Sequence, residues 1–207
     1  MDTAVIWTIG HSTHPADEFV ELLRAHEIES LVDVRSFPGS RRCPWFDKTP
    51  MRGWLGAAGV DYTHLRALGG RRGRQDGVDP ALNDGWHNTS FHNYADYTTT
   101  AAYEAGLADL QARARERRLA FMCSEVVPWR CHRSLIASSL TTIGWDVGHI
   151  VDRSTPQPHV IGAWGPPARI DAGHVTYPAN PQQLTLAPYF SIAPKNHPDP
   201  IASVPRR

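Results

Sequence analysis

Residues 121–135 hold the densest set of side chains that could do chemistry, in the order Phe-Met-Cys-Ser-Glu-Val-Val-Pro-Trp-Arg-Cys-His-Arg-Ser-Leu. An apolar strand runs into a loop here, and a helix is predicted to begin near Cys131 or His132. The first turn of a helix offers free backbone N–H groups and a partial positive charge, which favour an anion. Because Arg130 and Arg133 flank that turn, the pattern predicts a phosphate site. The competing interpretation is a packed helix end with two solvated arginines.

Two carboxylates and a histidine are the candidates for acid–base work. Glu125 directly follows the apolar strand, where partial burial and neighbouring arginines would tune it as an acid or a base. Asp33 ends another predicted strand, where a salt bridge to Arg35 is an equally good interpretation, and His11 follows the first strand. Two carboxylates beside a bound phosphate suit cleavage of a glycosidic bond, since one stabilises the oxocarbenium-like centre and the other activates water.

The three cysteines allow two further interpretations. Cys131 at a helix N-terminus is expected to have a lowered pKa, so it could be a nucleophile beside His132 or His11. Cys123 could be activated by the same histidines, although its place at a strand end better suits a small core residue. No Cys-x-x-Cys pair is present, and adjacent Cys131 and His132 seldom both reach one ion. The sequence therefore predicts no metal and no other cofactor, although a metal bound by Cys123, Cys131 and His132 stays open.

A basic stretch followed by aromatic residues points to a phosphate-bearing partner. Residues 35–74 carry eight Arg and Lys48 against two Asp, in a chain whose formal net charge is zero. The Gly- and Arg-rich loop at 69–77 precedes several aromatic residues, a combination that suits a single strand or an extruded base. The side chains predicted to hold phosphate or a base are Ser12, Arg35, Arg41, Arg42, Arg71, Arg72, Trp86, Arg130, Cys131, His132 and Arg133.

Strands and helices alternate through residues 1–152, which predicts a three-layer α/β domain. The expected sheet is mostly parallel and five-stranded with helices on both faces, and one long helix is expected at 94–118. The predicted strands cover residues 4–9, 30–34, 60–65, 119–123 and 146–151. Ligands bind at the carboxyl ends of parallel strands, where the candidate residues lie, but strand order is not readable from the sequence.

The C-terminal part of the chain has a different composition. Residues 153–207 hold 11 of the 17 prolines, which predicts an irregular extension that wraps the domain. Its end, at 195–207, is expected to be poorly ordered.

Five motifs stand in order within residues 4–151. They are Thr8-Ile-Gly-His-Ser12, Val32-Asp-Val-Arg-Ser36 with Pro38, His64 with Leu68-Gly-Gly-Arg-Arg72, Tyr94-Ala-Asp-Tyr97, and Cys123-x-Glu125 with Pro128-Trp-Arg-Cys-His-Arg133. Together they resemble the bacterial family called domain of unknown function 488. The family label promises no established activity. The resemblance implies only that the family keeps its polar residues at the positions of His11, Asp33, Arg35, Arg71, Arg72, Glu125, Cys131, His132 and Arg133.

Three functions follow as hypotheses. The first is an enzyme that hydrolyses the base–sugar N-glycosidic bond of a nucleotide or nucleic acid, with Glu125 as its key carboxylate. The second is a thiol-dependent transferase or redox enzyme that uses Cys131, and the third is a non-catalytic nucleic-acid-binding protein of a repair or defence system. The absence of a run of about 18 apolar residues predicts no membrane span. An odd, small number of cysteines excludes a disulfide framework and favours the cytoplasm.

Overall fold

A six-stranded, mostly parallel sheet forms the centre of the computed structural model, which describes residues 4–179. In chain order the strands are β1 (Val5–Gly10), β2 (Ser30–Asp33), β3 (Asp61–His64), β4 (Leu119–Cys123), β5 (Asp146–Ile150), β6 (Gln157–Pro158), β7 (Arg169–Asp171) and β8 (His174–Thr176). The order across the sheet is β3-β2-β4-β1-β5-β6, and β7 and β8 form a separate hairpin. The predicted α/β class is confirmed. The sheet has one strand more than predicted, because β6 of the extension pairs antiparallel with β5.

Helices cover both faces of the sheet. They are α1 (Ala16–Ala25), α2 (Lys48–Ala57), α3 (Thr89–Tyr97), α4 (Ala101–Glu116) and α5 (Arg133–Thr142). The apolar side chains of α1 and α2 pack into one buried cluster, and those of α3, α4 and α5 pack into another. Between the two clusters every residue of β4 is buried, which explains its continuous apolar sequence. Within residues 4–179, no helix combines the length and the apolar character that crossing a membrane requires.

The prediction of a single helix at 94–118 is wrong. Three successive threonines, at 98–100, interrupt the helix and separate α3 from α4. The hydroxyls of Thr98, Thr99 and Thr100 donate to backbone carbonyls three residues earlier, at 2.6, 2.8 and 2.8 Å. The side chain of Thr100 also accepts the N–H of Tyr103 and so caps α4. Threonine hydroxyls compete with the helical ladder in this way, and they favour a cap over a helix interior.

The described part of the extension returns to the domain. The N–H of His159 donates to the carbonyl of Val147 at 2.8 Å, and that of Tyr177 donates to the carbonyl of Leu82 at 3.1 Å. Val175 and Tyr177 are buried in the cluster beneath α3, α4 and α5. The prediction for 195–207 lies outside the described residues.

The topology determines where a crevice can form. After β2 the chain turns outward to β3, whereas after β4 it crosses β1 to reach β5. The loops that leave β2 and β4 therefore diverge, although the two strands are hydrogen-bonded neighbours. Such a switch point opens a crevice at the carboxyl edge of a parallel sheet, and this crevice is where ligands bind in doubly wound folds.

Candidate functional site

A cleft of about 690 Å³ opens at this switch point. Its walls come from the loop after β2, the loop around residues 70–73, the start of α3, and the segment from the end of β4 to the beginning of α5. The lining residues are Arg35, Ser36, Phe37, Gly39, Gly70, Arg71, Arg72, Gly73, Ser90, Phe91, Cys123, Ser124, Glu125, Arg130, Cys131 and His132. The volume falls within the range of about 300–1,000 Å³ that small-molecule sites occupy. Four arginines against one carboxylate make the cleft suited to an anion.

Two cysteines and a histidine converge on one wall of the cleft. The Sγ atoms of Cys123 and Cys131 each lie 3.7 Å from Nδ1 of His132. Nε2 of His132 lies 3.0 Å from the carbonyl oxygen of Val34. Since a carbonyl can only accept, Nε2 carries the proton, and Nδ1 presents its lone pair to the two sulfurs. The sequence argument expected that the adjacent Cys131 and His132 would seldom both reach one ion, and the loop brings Sγ and Nδ1 of these two residues within 3.7 Å of each other.

Packing fixes the ring of His132. The ring of Tyr94 lies on one side, with centroids 4.9 Å apart. A Cβ on Gly70 would lie 2.3 Å from Nδ1 and 2.7 and 2.8 Å from its two ring neighbours. Those distances place the backbone of Gly70 over the ring face, so that the in-plane lone pair of Nδ1 stays clear. A side chain at position 70 would displace the ring.

The two thiols differ in acidity. Burial raises the pKa of Cys131, but a hydrogen bond from Cys123, the charge of Arg133 and the backbone N–H of Arg133 outweigh it and lower the pKa to about 7. The hydrogen bond that Cys123 donates to Cys131, together with burial, raises the pKa of Cys123 well above its usual range. Of the two thiols, Cys131 is therefore the one that ionises more readily.

Buried backbone contacts hold the loop that carries Glu125. The guanidinium of Arg133, fully buried, donates to the carbonyls of Glu125 and Val126. From the end of β1, the N–H of Ser12 donates to the carbonyl of Ser124 at 2.8 Å. A Cβ on Gly10 would lie 1.7 Å from the carbonyl oxygen of Glu125, so only glycine fits there. Arg133 and Ser12, both predicted to hold phosphate, are used to position this loop and do not line the cleft.

The side chain of Glu125 is exposed in the cleft. The expectation that it would be partly buried is wrong, because the chain leaves the sheet at Ser124 and the carboxylate extends beyond the packed layer. It is the one carboxylate among the lining residues, and it shares the cleft with Cys131 and His132.

The other predicted acid–base residues lie below the cleft in a closed network. Asp33 is fully buried and forms a 2.7 Å ion pair with Arg35, and its Oδ2 also accepts the hydroxyl of Tyr62 at 2.8 Å. Arg35 donates further to the carbonyl of Phe46 and to Nε2 of His11, at 2.8 and 3.1 Å. Burial, together with the charge of Arg35, lowers the pKa of His11 to about 4. Of this network only Arg35 reaches the cleft wall.

The arginines predicted to bind phosphate divide by what their guanidinium groups contact. Arg72 donates to the carbonyls of Gly69, Arg66 and Ala67 and lies 3.7 Å over the ring of Tyr97. Arg41 and Arg42 are exposed but do not line the cleft. Arg71 and Arg130 line it, and within residues 4–179 neither guanidinium has an ion pair. They are the cations available to a ligand.

The aromatic residue at the cleft is not the predicted one. Trp86 stacks on Phe91 with centroids 4.7 Å apart and packs against Tyr177 of the extension, away from the cleft lining. Phe37, which the sequence argument missed, lines the cleft with 61% of its surface exposed. The guanidinium of Arg71 lies 5.6 Å from its ring centroid. The sequence signal that could have identified Phe37 was its position in a loop rich in Pro, Gly and Arg directly after a strand.

A family model described as Domain of unknown function DUF488 matches residues 15–140, which is more than half of the chain. The chain is a member of the DUF488 family. The matched range of this DUF488 protein contains the loops after β2 and β4 and every residue that lines the cleft. No curated protein and no solved structure matches the chain.

Proposed function

We propose that this DUF488 protein is an enzyme that hydrolyses the N-glycosidic bond of a nucleotide, either free or presented by a single strand or an extruded base. The proposal rests mainly on one observation, the presence in one cleft of an exposed carboxylate, an exposed aromatic ring and two arginines that form no ion pair with any residue of 4–179. Arg71 and Arg130 would bind phosphate, and Phe37 would stack on the base. The thiols suit a reducing cytoplasm.

Glu125 is the acid–base group of this scheme. As base it takes a proton from a water molecule whose oxygen bonds to the anomeric carbon. As acid it returns that proton to the base nitrogen, which leaves with the electron pair of the broken bond. Asp33 is unsuited as the second carboxylate, because both of its oxygens are engaged below the cleft.

Release of free base tests the proposal. The protein is incubated with nucleosides, 5′-nucleotides and short single-stranded DNA and RNA that include modified bases, and the products are separated by chromatography. Glu125→Gln is expected to reduce base release about 10²- to 10⁴-fold. Glu21→Gln, on the exposed face of α1, is the matched control and leaves the rate unchanged. No release from any substrate, or release that Glu125→Gln does not slow, contradicts the proposal.

A thiol-dependent reaction is the second candidate function, favoured by the 3.7 Å approach of the Cys131 sulfur to the lone pair of His132. It predicts that one equivalent of an alkylating reagent at Cys131 stops turnover. Salt-dependent binding of nucleic acid without turnover would instead support a non-catalytic binding role.

A further inference from the structure

We propose that Cys123, Cys131 and His132 bind a zinc ion on the wall of the cleft, with the fourth position of the ion open to the substrate. Their ligand atoms, two sulfurs and one ring nitrogen, all lie within 4.8 Å of one another. Two thiolates and an imidazole form a donor set that zinc prefers. Zinc binding stands on this geometry alone, whereas the role of the ion in catalysis rests on the proposed function.

The distances fit a tetrahedral ion. Zinc binds thiolate at about 2.3 Å and imidazole at about 2.0–2.1 Å, so two such ligands at a tetrahedral angle lie about 3.6 Å apart. The Sγ atoms of Cys123 and Cys131 are each 3.7 Å from Nδ1 of His132. An ion held between the two sulfurs and Nδ1 would place both sulfurs at one distance from that nitrogen, as observed.

The surroundings of His132 are those of a metal ligand. Its Nε2–H donates to the carbonyl of Val34, and such a bond fixes the tautomer and orientation of a ligating ring. Tyr94 and the backbone of Gly70 pack against the ring. All three ligating residues line the cleft together with Glu125. Three protein ligands with one open position are typical of a catalytic zinc, which lowers the pKa of its bound water to about 7.

Glu125 then has a defined task beside the ion. A carboxylate that is not itself a ligand can take a proton from the ion's water and deliver it to a departing nitrogen. The exposed Glu125, two residues after Cys123, lines the same cleft as the three proposed ligands. The attacking oxygen of the proposed hydrolysis would then come from the water bound to the ion.

Metal binding is measured first, without any substrate. The full chain, kept reduced by a phosphine and freed of metal by a chelator, is titrated with Zn²⁺ and separately with Co²⁺. We expect one ion per chain, a thiolate-to-cobalt charge-transfer band and the intense visible bands of tetrahedral cobalt. Zinc is also expected to protect Cys123 and Cys131, but not Cys43, from alkylation under mildly denaturing conditions. No stoichiometric binding, or a six-coordinate cobalt spectrum, would overturn the inference.

Variants assign the ligands. Cys131→Ser and His132→Gln should each weaken zinc binding by more than roughly 100-fold. Cys43→Ser, at a buried free cysteine in the opposite core cluster, should leave zinc binding unchanged. Binding that persists unchanged in Cys131→Ser would overturn the assignment, and the alkylation experiment on the unaltered chain decides the matter where a variant does not fold.

Substitutions at two glycines test the same geometry without altering any of the three ligand residues. Gly70→Ala would place a Cβ 2.3 Å from Nδ1 of His132, whereas a Cβ on Gly73, in the same loop, meets no atom within 4 Å. Zinc affinity should fall roughly 10-fold in Gly70→Ala and stay constant in Gly73→Ala. Equal affinities in the two variants would contradict the proposed orientation of the ring.

Base release by zinc-loaded and metal-free protein separates the two proposals. Zinc binding without base release supports the metal site and contradicts the proposed function. Base release at the same rate without metal supports the function and removes the ion from its mechanism.

Discussion

Two groups of polar side chains lie at the carboxyl edge of the same sheet, and they differ in what their polar atoms contact. Below the cleft, Asp33, Arg35, His11 and Tyr62 contact one another and are buried or half-buried; we call these the Asp33 network. The second group, the cleft set, consists of the lining residues Cys123, Glu125, Arg130, Cys131 and His132.

The difference separates structural from chemical roles. In the Asp33 network each charge has a partner of opposite sign or a hydrogen bond within the protein, so a substrate would have to break bonds already made. In the cleft set a carboxylate, an arginine and an imidazole lone pair remain available. The Asp33 network should therefore control the free energy of unfolding, and the cleft set should control ligand binding and turnover.

The largest expected effect on stability is at Asp33. Asp33→Asn leaves the buried charge of Arg35 without its partner, and the free energy of unfolding should fall by about 3–5 kcal/mol. Tyr62→Phe, which removes only the hydroxyl that Asp33 accepts, should cost about 1 kcal/mol. Urea unfolding followed by circular dichroism measures both. A stable Asp33→Asn protein that has lost base release would contradict this division of roles and make Asp33 a chemical residue.

A second buried hydrogen-bond network should control the pH dependence of stability. Thr8, His149, His159 and Ser138 form a buried chain of hydrogen bonds of 2.9, 3.0 and 2.9 Å. Burial, aided by the charge of His159, lowers the pKa of His149 to about 3, and burial lowers that of His159 to about 4. Between those values and about 6.5, the unfolded chain binds protons that the folded chain does not, so stability is lost as the pH falls.

The expected loss is about 2 kcal/mol per histidine between pH 7 and pH 5. Because the pKa of the buried His11 is also lowered to about 4, three histidines contribute over this range, and His149→Gln should remove about a third of the dependence measured by urea unfolding at the two pH values. His87→Gln, at an exposed histidine, should leave the dependence as it is. Equal slopes for wild type and His149→Gln would show that the buried pair is not the acid-sensitive element.

Some parts of this arrangement could be predicted from the sequence, and others could not. The bounds of β4 were predicted correctly, because an unbroken apolar run between polar residues suits a strand buried on both faces. The presence of polar residues at strand ends was also readable. Strand order was not, and it is the pairing of β2 with β4 that brings Phe37 and Cys131 to one cleft.

Burial likewise depends on contacts distant along the chain. Asp33 and Glu125 each follow an apolar run, yet one is fully buried and the other exposed. Arg35 and the half-buried Tyr62 cover Asp33, and nothing in the local sequence of either carboxylate indicates this difference. The packing of Trp86 could not be predicted for the same reason, because its partner Tyr177 lies in the extension, distant along the chain.

The smallest expected effect on stability is at Arg130, and it tests the cleft set directly. The side chain is exposed, and within residues 4–179 it forms no ion pair, so Arg130→Ala should change the free energy of unfolding by less than about 0.5 kcal/mol. Losing one charge-assisted phosphate contact should nevertheless weaken binding of a nucleoside monophosphate roughly 10-fold, which isothermal calorimetry can measure. Arg41→Ala, at an exposed arginine outside the cleft, is the matched control and should leave the affinity unchanged. If both variants weaken binding equally, the affinity comes from the overall charge of the protein surface, and the cleft set does not form a specific phosphate site.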